Sequence, residues 1–283
     1  MCRWNAYFGQ PVLIDELLFR TEHSLIDQSL HSRMGVETTN GDGFGLGWYT
    51  AGNGETPARY RSVTPAWSDQ NLRDLASHVE SPLFLAHIRA TTGTPVQQTN
   101  CHPFRHGRWL FVHNGVINGF QAMRRDLLYA VDSLLFDGVH GSTDSEVLFY
   151  LALTFGLEDD PIGGVERAVG FVEATAEAHG IENPVQMTLG FSDGERLYAV
   201  RYSTEHSSRT LFVSEDVAAV RALHPDNARF QRMTDEDRVI VSEPVSDLPG
   251  VWREVPESTA LIVQLGPDEH REFTPRTAAA AVH

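Results

Sequence analysis

Cys2-Arg3-Trp4-Asn5-Ala6-Tyr7-Phe8 stands at the head of the chain, closed by Gly9-Gln10-Pro11. Aromatic and small residues over a strand's length, followed by a Gly/Pro break, predict a strand that begins almost at the first residue. Cys2 would then lie at the entrance of that strand. If Met1 is removed, as a small second residue normally permits, a thiol and a free α-amine share one residue. An α-amine titrates near ~7.7–8.0, so it can take the thiol proton and later return it to a leaving amine. The alternative is a small buried cysteine near a terminus with no chemistry.

Beyond this strand, Val12 to Leu18 and Leu25 to Leu30 read as short helices, and Asn40 to Tyr49 packs four glycines into ten residues. That density marks tight turns or close backbone approach. Pro82 to Ile88 and Arg108 to Val112 are apolar runs suited to buried strands, flanking the loop Arg89 to Phe104. Asp144 to Phe155 and Gly164 to His179 carry helical spacing, the first opened by the capping segment Ser142-Thr143-Asp144. Pro184 to Phe191, Arg196 to Tyr202, Thr210 to Val213, Arg238 to Val241 and Ala260 to Leu265 return to short strands between turn signals. Strands, helices, then strands indicate an α+β sandwich in one domain over residues 2–270. Residues 271–283, ending in an Ala-rich segment, read as a frayed C-terminal tail.

Composition removes several functions. With 38 acidic against 22 basic residues, the 283-residue chain carries −16. Such a field repels phosphate backbones, which argues against a nucleic-acid partner. No lysine occurs, so neither Schiff-base chemistry nor a phosphate-loop lysine is available. Two cysteines exclude a disulfide framework and a four-cysteine zinc site, and fit a reducing cytoplasm. No apolar run reaches the roughly 20 residues of a membrane span. The histidines His102, His106 and His113 do not follow a zinc spacing, so no metal and no cofactor are expected. Cys101-His102 leaves a second thiol–imidazole candidate open.

Five segments in order narrow the reading: Met1-Cys2-Arg3, Asn40 to Tyr49, His87-Ile88-Arg89-Ala90-Thr91-Thr92-Gly93 with Asn100 to Phe104, Phe111 to Ile117 containing His113-Asn114-Gly115, and Ser142 to Glu146. Together they resemble the class II glutamine amidotransferases, whose nucleophile is an N-terminal cysteine. The resemblance implies a four-layer αββα sandwich of the N-terminal nucleophile hydrolase type. It also implies cleavage of a γ-glutamyl amide through a thioester on Cys2. Asn114 and the Gly115 N–H would form the oxyanion hole. Arg89 would clamp the substrate α-carboxylate and Asp144 its ammonium, with Thr92 in the same binding segment.

The substrate is then a small molecule, either free glutamine or a larger γ-glutamyl compound, as in the ergothioneine-pathway amidohydrolases that also start Met-Cys-Arg. Arg3 tilts the choice toward the second. A separate synthase subunit receiving ammonia is the alternative within the enzyme class, and oligomeric state is left open. A catalytically silent module that binds glutamine or a γ-glutamyl metabolite is the alternative outside it.

Overall fold

Alternation along the first strand builds the centre of the molecule. In β1 (Arg3–Leu13), Trp4, Ala6 and Phe8 join one apolar cluster while Tyr7 joins another, as the period of two demands. The computed structural model describes residues 2–30, 40–50, 56–91 and 93–277. After β1 come helices α1 (Asp15–Leu18) and α2 (Leu25–Leu30), strands β2 (Phe44–Tyr49) and β3 (Ala58–Ser62), helix α3 (Gln70–Ala76) and strand β4 (Glu80–Ile88). Strands β5 (Phe104–His106) and β6 (Trp109–Ile117) precede helices α4 (Phe120–Tyr129), α5 (Asp144–Thr154) and α6 (Pro161–Ala178). The rest is β7 (Val185–Ser192), β8 (Leu197–Ser203), β9 (Phe212–Ser214), α7 (Val217–Leu223), α8 (Ala228–Arg232), β10 (Arg238–Val241), β11 (Trp252–Glu254), β12 (Thr259–Val263) and β13 (Glu269–Glu272).

Two antiparallel sheets result. One runs β11-β9-β10-β1-β4-β2-β3 and the other β13-β12-β8-β7-β6-β5. Three buried clusters separate four layers. Trp4, Phe8 and Leu85 of the first sheet meet Leu110, Ala199 and Leu261 of the second. The outer face of the first sheet packs Tyr7, Leu46 and Phe84 against Leu18, Leu25 and Leu72 of α1 to α3. The outer face of the second packs Phe111, Leu189 and Val200 against α4, α5 and α6. The expected αββα sandwich is what the chain forms.

Several boundaries differ from the sequence reading: β6 runs on to Ile117, five residues past Val112, and α6 opens at Pro161 rather than Gly164. Gly9-Gln10-Pro11 does not end β1: the pairing with β4 shifts register between Phe8 and Val12 and resumes at Val12↔Ser81. Val12 and Leu13 are thus strand, and α1 begins only at Asp15. The break is a bulge, which Gly9 permits because a Cβ there would lie 2.1 Å from Asp237 Oδ1. The chain also stays packed beyond residue 270. Phe273 is buried against Tyr202, the Thr274 N–H donates to Glu166 Oε1, and Arg276 pairs with the same carboxylate at 2.6 Å.

The glycines between Asn40 and Tyr49 answer to close approach. A Cβ at Gly45 would stand 1.9 Å from the carbonyl oxygen of His102, and one at Gly43 2.7 Å from Cys101 Sγ. At Gly47 it would meet Leu110 and Pro103. β2 therefore lies directly against the Cys101-His102-Pro103 segment, which brings the loop after β4 beside the start of β1.

Candidate active site

The start of β1 and the end of β4 are register partners, with Arg3 opposite Ile88. The residues just beyond the pair, Cys2 on one side and Arg89 and Ala90 on the other, consequently meet. Cys2 Sγ lies 3.5 Å from both the N–H and the carbonyl oxygen of Ala90. Burial pushes the Cys2 thiol above its ordinary value, while the Ala90 hydrogen bond and the charges of Arg89 and Arg209 pull it back. The thiol rests protonated, so a base must act on it.

Arg89 is 3% exposed, and its guanidinium donates to the carbonyl oxygens of Asp42 and Pro95 and to the hydroxyls of Thr91 and Thr94, the last at 2.6 Å. Among the described residues no carboxylate pairs with it. A buried cation held by neutral acceptors is set for an anion from outside. It lines a cleft of about 540 Å³ together with Cys2, Gly115 and Asp144.

Asp144 opens α5 but does not cap it. Thr143 is the cap, accepting from the Glu146 N–H at 3.2 Å. Asp144 is instead oriented by the Ile117 N–H on Oδ2 and the Ser145 N–H on Oδ1, each at 2.8 Å. The Ser145 hydroxyl also contacts Asp144 Oδ1, and His113 Nδ1 lies 2.7 Å from that hydroxyl. The ring also meets the carbonyl oxygen of Gln186, which only accepts, so the neutral imidazole keeps its proton on that side and Nδ1 accepts the shorter of the two Ser145 hydroxyl contacts. Burial holds this imidazole below its ordinary pKa, opposed by the Asp144 charge.

The structure thus brings Cys2, Arg89, Gly115 and Asp144 to one cleft. Asn114 lies in the wall of an adjoining recess of about 240 Å³, with Arg3. Thr92 lies outside the described residues. The Cys101-His102 pair does not form: Cys101 Sγ faces the carbonyl oxygens of Ser62 and Gln97, and among the described residues neither ring nitrogen of His102 has a hydrogen-bond partner. His102 stacks on His87 at 4.1 Å, while His106 stands against Tyr150. Among the described residues no group of three His, Cys, Asp or Glu side chains is placed to hold a metal, and no helix is long and apolar enough to cross a membrane.

Sequence reasoning missed three contributors. His87 is buried, donates from Nε2 to the carbonyl oxygen of His113, and is pushed down by burial to a pKa of about 3. Trp4 donates to Thr188 Oγ1 at 3.1 Å, and that hydroxyl donates on to the carbonyl oxygen of Asn114, tying β1 across the sandwich to β7 and β6. The turn Asn118 to Ala122 entering α4 forms part of the cleft wall. The first two sat inside quoted motifs, but their role depends on which strand lies opposite. The third carried no signal beyond an Asn-Gly turn.

Residues 19–280 match the family description "Glutamine amidotransferases class-II". A probable glutamine amidotransferase, DUG3, of Saccharomyces cerevisiae is 33% identical, covering 93% of this chain and 82% of that one. The gamma-glutamyl-hercynylcysteine sulfoxide hydrolase of Mycolicibacterium smegmatis is 27% identical over 97% of this chain and 100% of its own. A solved glutamine aminotransferase class-II domain protein from Silicibacter pomeroyi superposes with a TM-score of 0.74 at 34% identity, over 97% of this chain and 100% of the other. Its sandwich is the N-terminal nucleophile hydrolase fold. On sequence and on fold alike, the chain belongs to the class II glutamine amidotransferases.

Proposed function

We propose that the protein hydrolyses γ-glutamyl amides through a thioester on Cys2, as one domain, and releases glutamate and an amine. The observation that carries this reading is the pairing, in one cleft with the thiol, of an oriented aspartate and a buried arginine with no carboxylate partner among the described residues. Arg89 takes the substrate α-carboxylate and Asp144 the α-ammonium, which sets the γ-carbonyl over Cys2. Thr92 stands in the same binding segment.

With Met1 removed, the Cys2 α-amine accepts the thiol proton and the sulfur attacks the carbonyl carbon of the γ-glutamyl amide. The carbonyl π-electrons move to oxygen, where the Asn114 side-chain amide and the Gly115 N–H receive the charge; one such donor contributes on the order of 10²–10³ in rate. Collapse expels the amine, which leaves with the proton held by the α-amine. Water then attacks the thioester, giving glutamate and the free thiol. The name of the Mycolicibacterium relative supports a γ-glutamyl compound as substrate, and Arg3 beside Cys2 agrees with it. The setting is the reducing cytoplasm, which keeps both thiols free.

A glutamine-derived diazoketone tests the proposal by intact and peptide mass spectrometry. Wild type is expected to gain one adduct on a Met-free Cys2, and Cys2→Ala none. An unlabelled wild type with Met1 attached would sink the catalytic reading and leave a binding protein on this fold.

A further inference from the structure

Arg89 and Asp144 reach the cleft from different elements, one just after β4 and the other at the first residue of α5. In an α-amino acid the carboxylate and the ammonium hang on one carbon. Both receptors engage such a substrate only if they are held at one spacing, so the loop after β4 has to be tied to the start of α5.

Asn100, at the end of a helical turn over Gln98–Asn100, makes that tie. It is fully buried. Its Nδ2 donates to the Pro95 carbonyl oxygen at 3.0 Å and to Ser142 Oγ at 3.2 Å. Its Oδ1 accepts from the Ser142 N–H at 2.9 Å and from Gln97 Nε2 at 3.1 Å. Both N–H groups of the amide are spent, and its oxygen takes two donors. The orientation of the amide follows from its partners. The Ser142 N–H only donates and the Pro95 carbonyl only accepts, so Oδ1 faces the first and Nδ2 the second.

Each partner leads to one end of the cleft. The Pro95 carbonyl oxygen also accepts from Arg89 at 3.1 Å, and Thr94 beside it holds the same guanidinium through its hydroxyl. Asn100 and Arg89 thus share an acceptor. At the other end, Ser142 runs into Thr143, the cap of α5, and then Asp144. The carboxylate of Glu146 accepts the His140 and Gly141 N–H groups and clamps the turn that enters Ser142. A Cβ at Gly141 would stand 2.5 Å from Asn100 Oδ1 and 2.8 Å from Glu146 Oε2, so the turn has no room to drift.

We infer that Asn100 is a positioning residue that fixes the spacing between the Arg89 guanidinium and the Asp144 carboxylate, and thereby selects substrates carrying a carboxylate and an ammonium on one carbon. The inference rests on the γ-glutamyl reading of the cleft. Neither isostere of the side chain can replace it: leucine offers no polar atom, and aspartate has no N–H for the Pro95 carbonyl.

The test titrates the glutamine-derived diazoketone against wild type, Asn100→Ala and Ser142→Ala, and separates the half-saturating concentration KI from the limiting alkylation rate kinact. KI reads capture of the two charged groups, and kinact reads the Cys2 thiol once the reagent is seated. Asn100→Ala is expected to raise KI about tenfold, the usual effect of leaving buried hydrogen-bonding groups without a partner, with kinact little changed. For the same reagent lacking its α-amine, which engages Arg89 alone, KI should rise less. Ser142→Ala removes only a half-buried hydroxyl, should raise KI in the same sense by less, and carries the test should Asn100→Ala not fold. A merely structural role would lower kinact or the fraction labelled and leave KI alone. An unchanged KI in a folded variant, or an equal rise for both reagents, overturns the inference while the thioester chemistry stands. A wild type that gains no adduct removes the parent reading, and this inference with it.

Discussion

His87 shows how a single residue couples this site to stability. Its ring is buried, and the neutral form is enforced by burial, with the nearby charge of Arg89 adding to it. The folded pKa of about 3 lies below the ordinary 6.5, so below pH 6.5 the unfolded chain binds a proton that the folded one refuses. Stability is complete above 6.5 and drains as pH falls toward 3. Between pH 6.5 and 5 this one group accounts for about 2 kcal/mol. Denaturant melts at pH 7 and pH 5 should show His87→Asn with a pH dependence shallower by that amount; an unchanged slope would disprove the assignment. Cys2, Arg89 and Asp144, which the structure gathers in one cleft, could be singled out in the sequence because each stands in an ordered series of motifs. The function of His87 could not be read there, since a buried imidazole is defined by what covers it, and its acceptor is a carbonyl oxygen on another strand.

Glycines in β2 carry the corresponding lesson for elements. Their number was readable and so was the idea of close approach, but the partner was not, because Cys101 to Pro103 arrive from a loop more than fifty residues onward. Gly45 faces backbone, which cannot turn aside, whereas Gly47 faces side chains of Leu110 and Pro103. Gly45→Ala should therefore cost more than Gly47→Ala, losing soluble folded protein where the latter loses about 1–3 kcal/mol as an overpacked core does. Circular dichroism melts of the two would rank them, and the reverse order would refute the explanation. The same limit explains β1. A Gly-Gln-Pro triplet signals an interruption, but whether a strand stops or bulges depends on the neighbour that continues the ladder, here Ser81 and Glu80 of β4.

At the scale of the molecule, the layer order was legible from the succession of strands, helices and strands together with the family resemblance, while the end of the fold was not. The segment after β13 looks polar in sequence, but Phe273 is buried among helix and sheet residues, and Gly170 of α6 lets the Arg276 backbone lie against the helix. Phe273→Ala should lower stability by about 3–5 kcal/mol in a urea titration, as core phenylalanine truncations do. A change within ±0.5 kcal/mol, typical of surface substitutions, would mean that the segment is not packed. The position of β1 in its sheet has a consequence in time. β1 is hydrogen-bonded on one flank to β4 and on the other to β10, whose first residue is Arg238. During synthesis from the amino end, β1 emerges before either neighbour, and β10 follows it by more than two hundred residues. β1 must wait with one flank unpaired until β10 has been made. Such long-range closure makes folding slow, and it ties the finished surroundings of Cys2 to a strand made far along the chain.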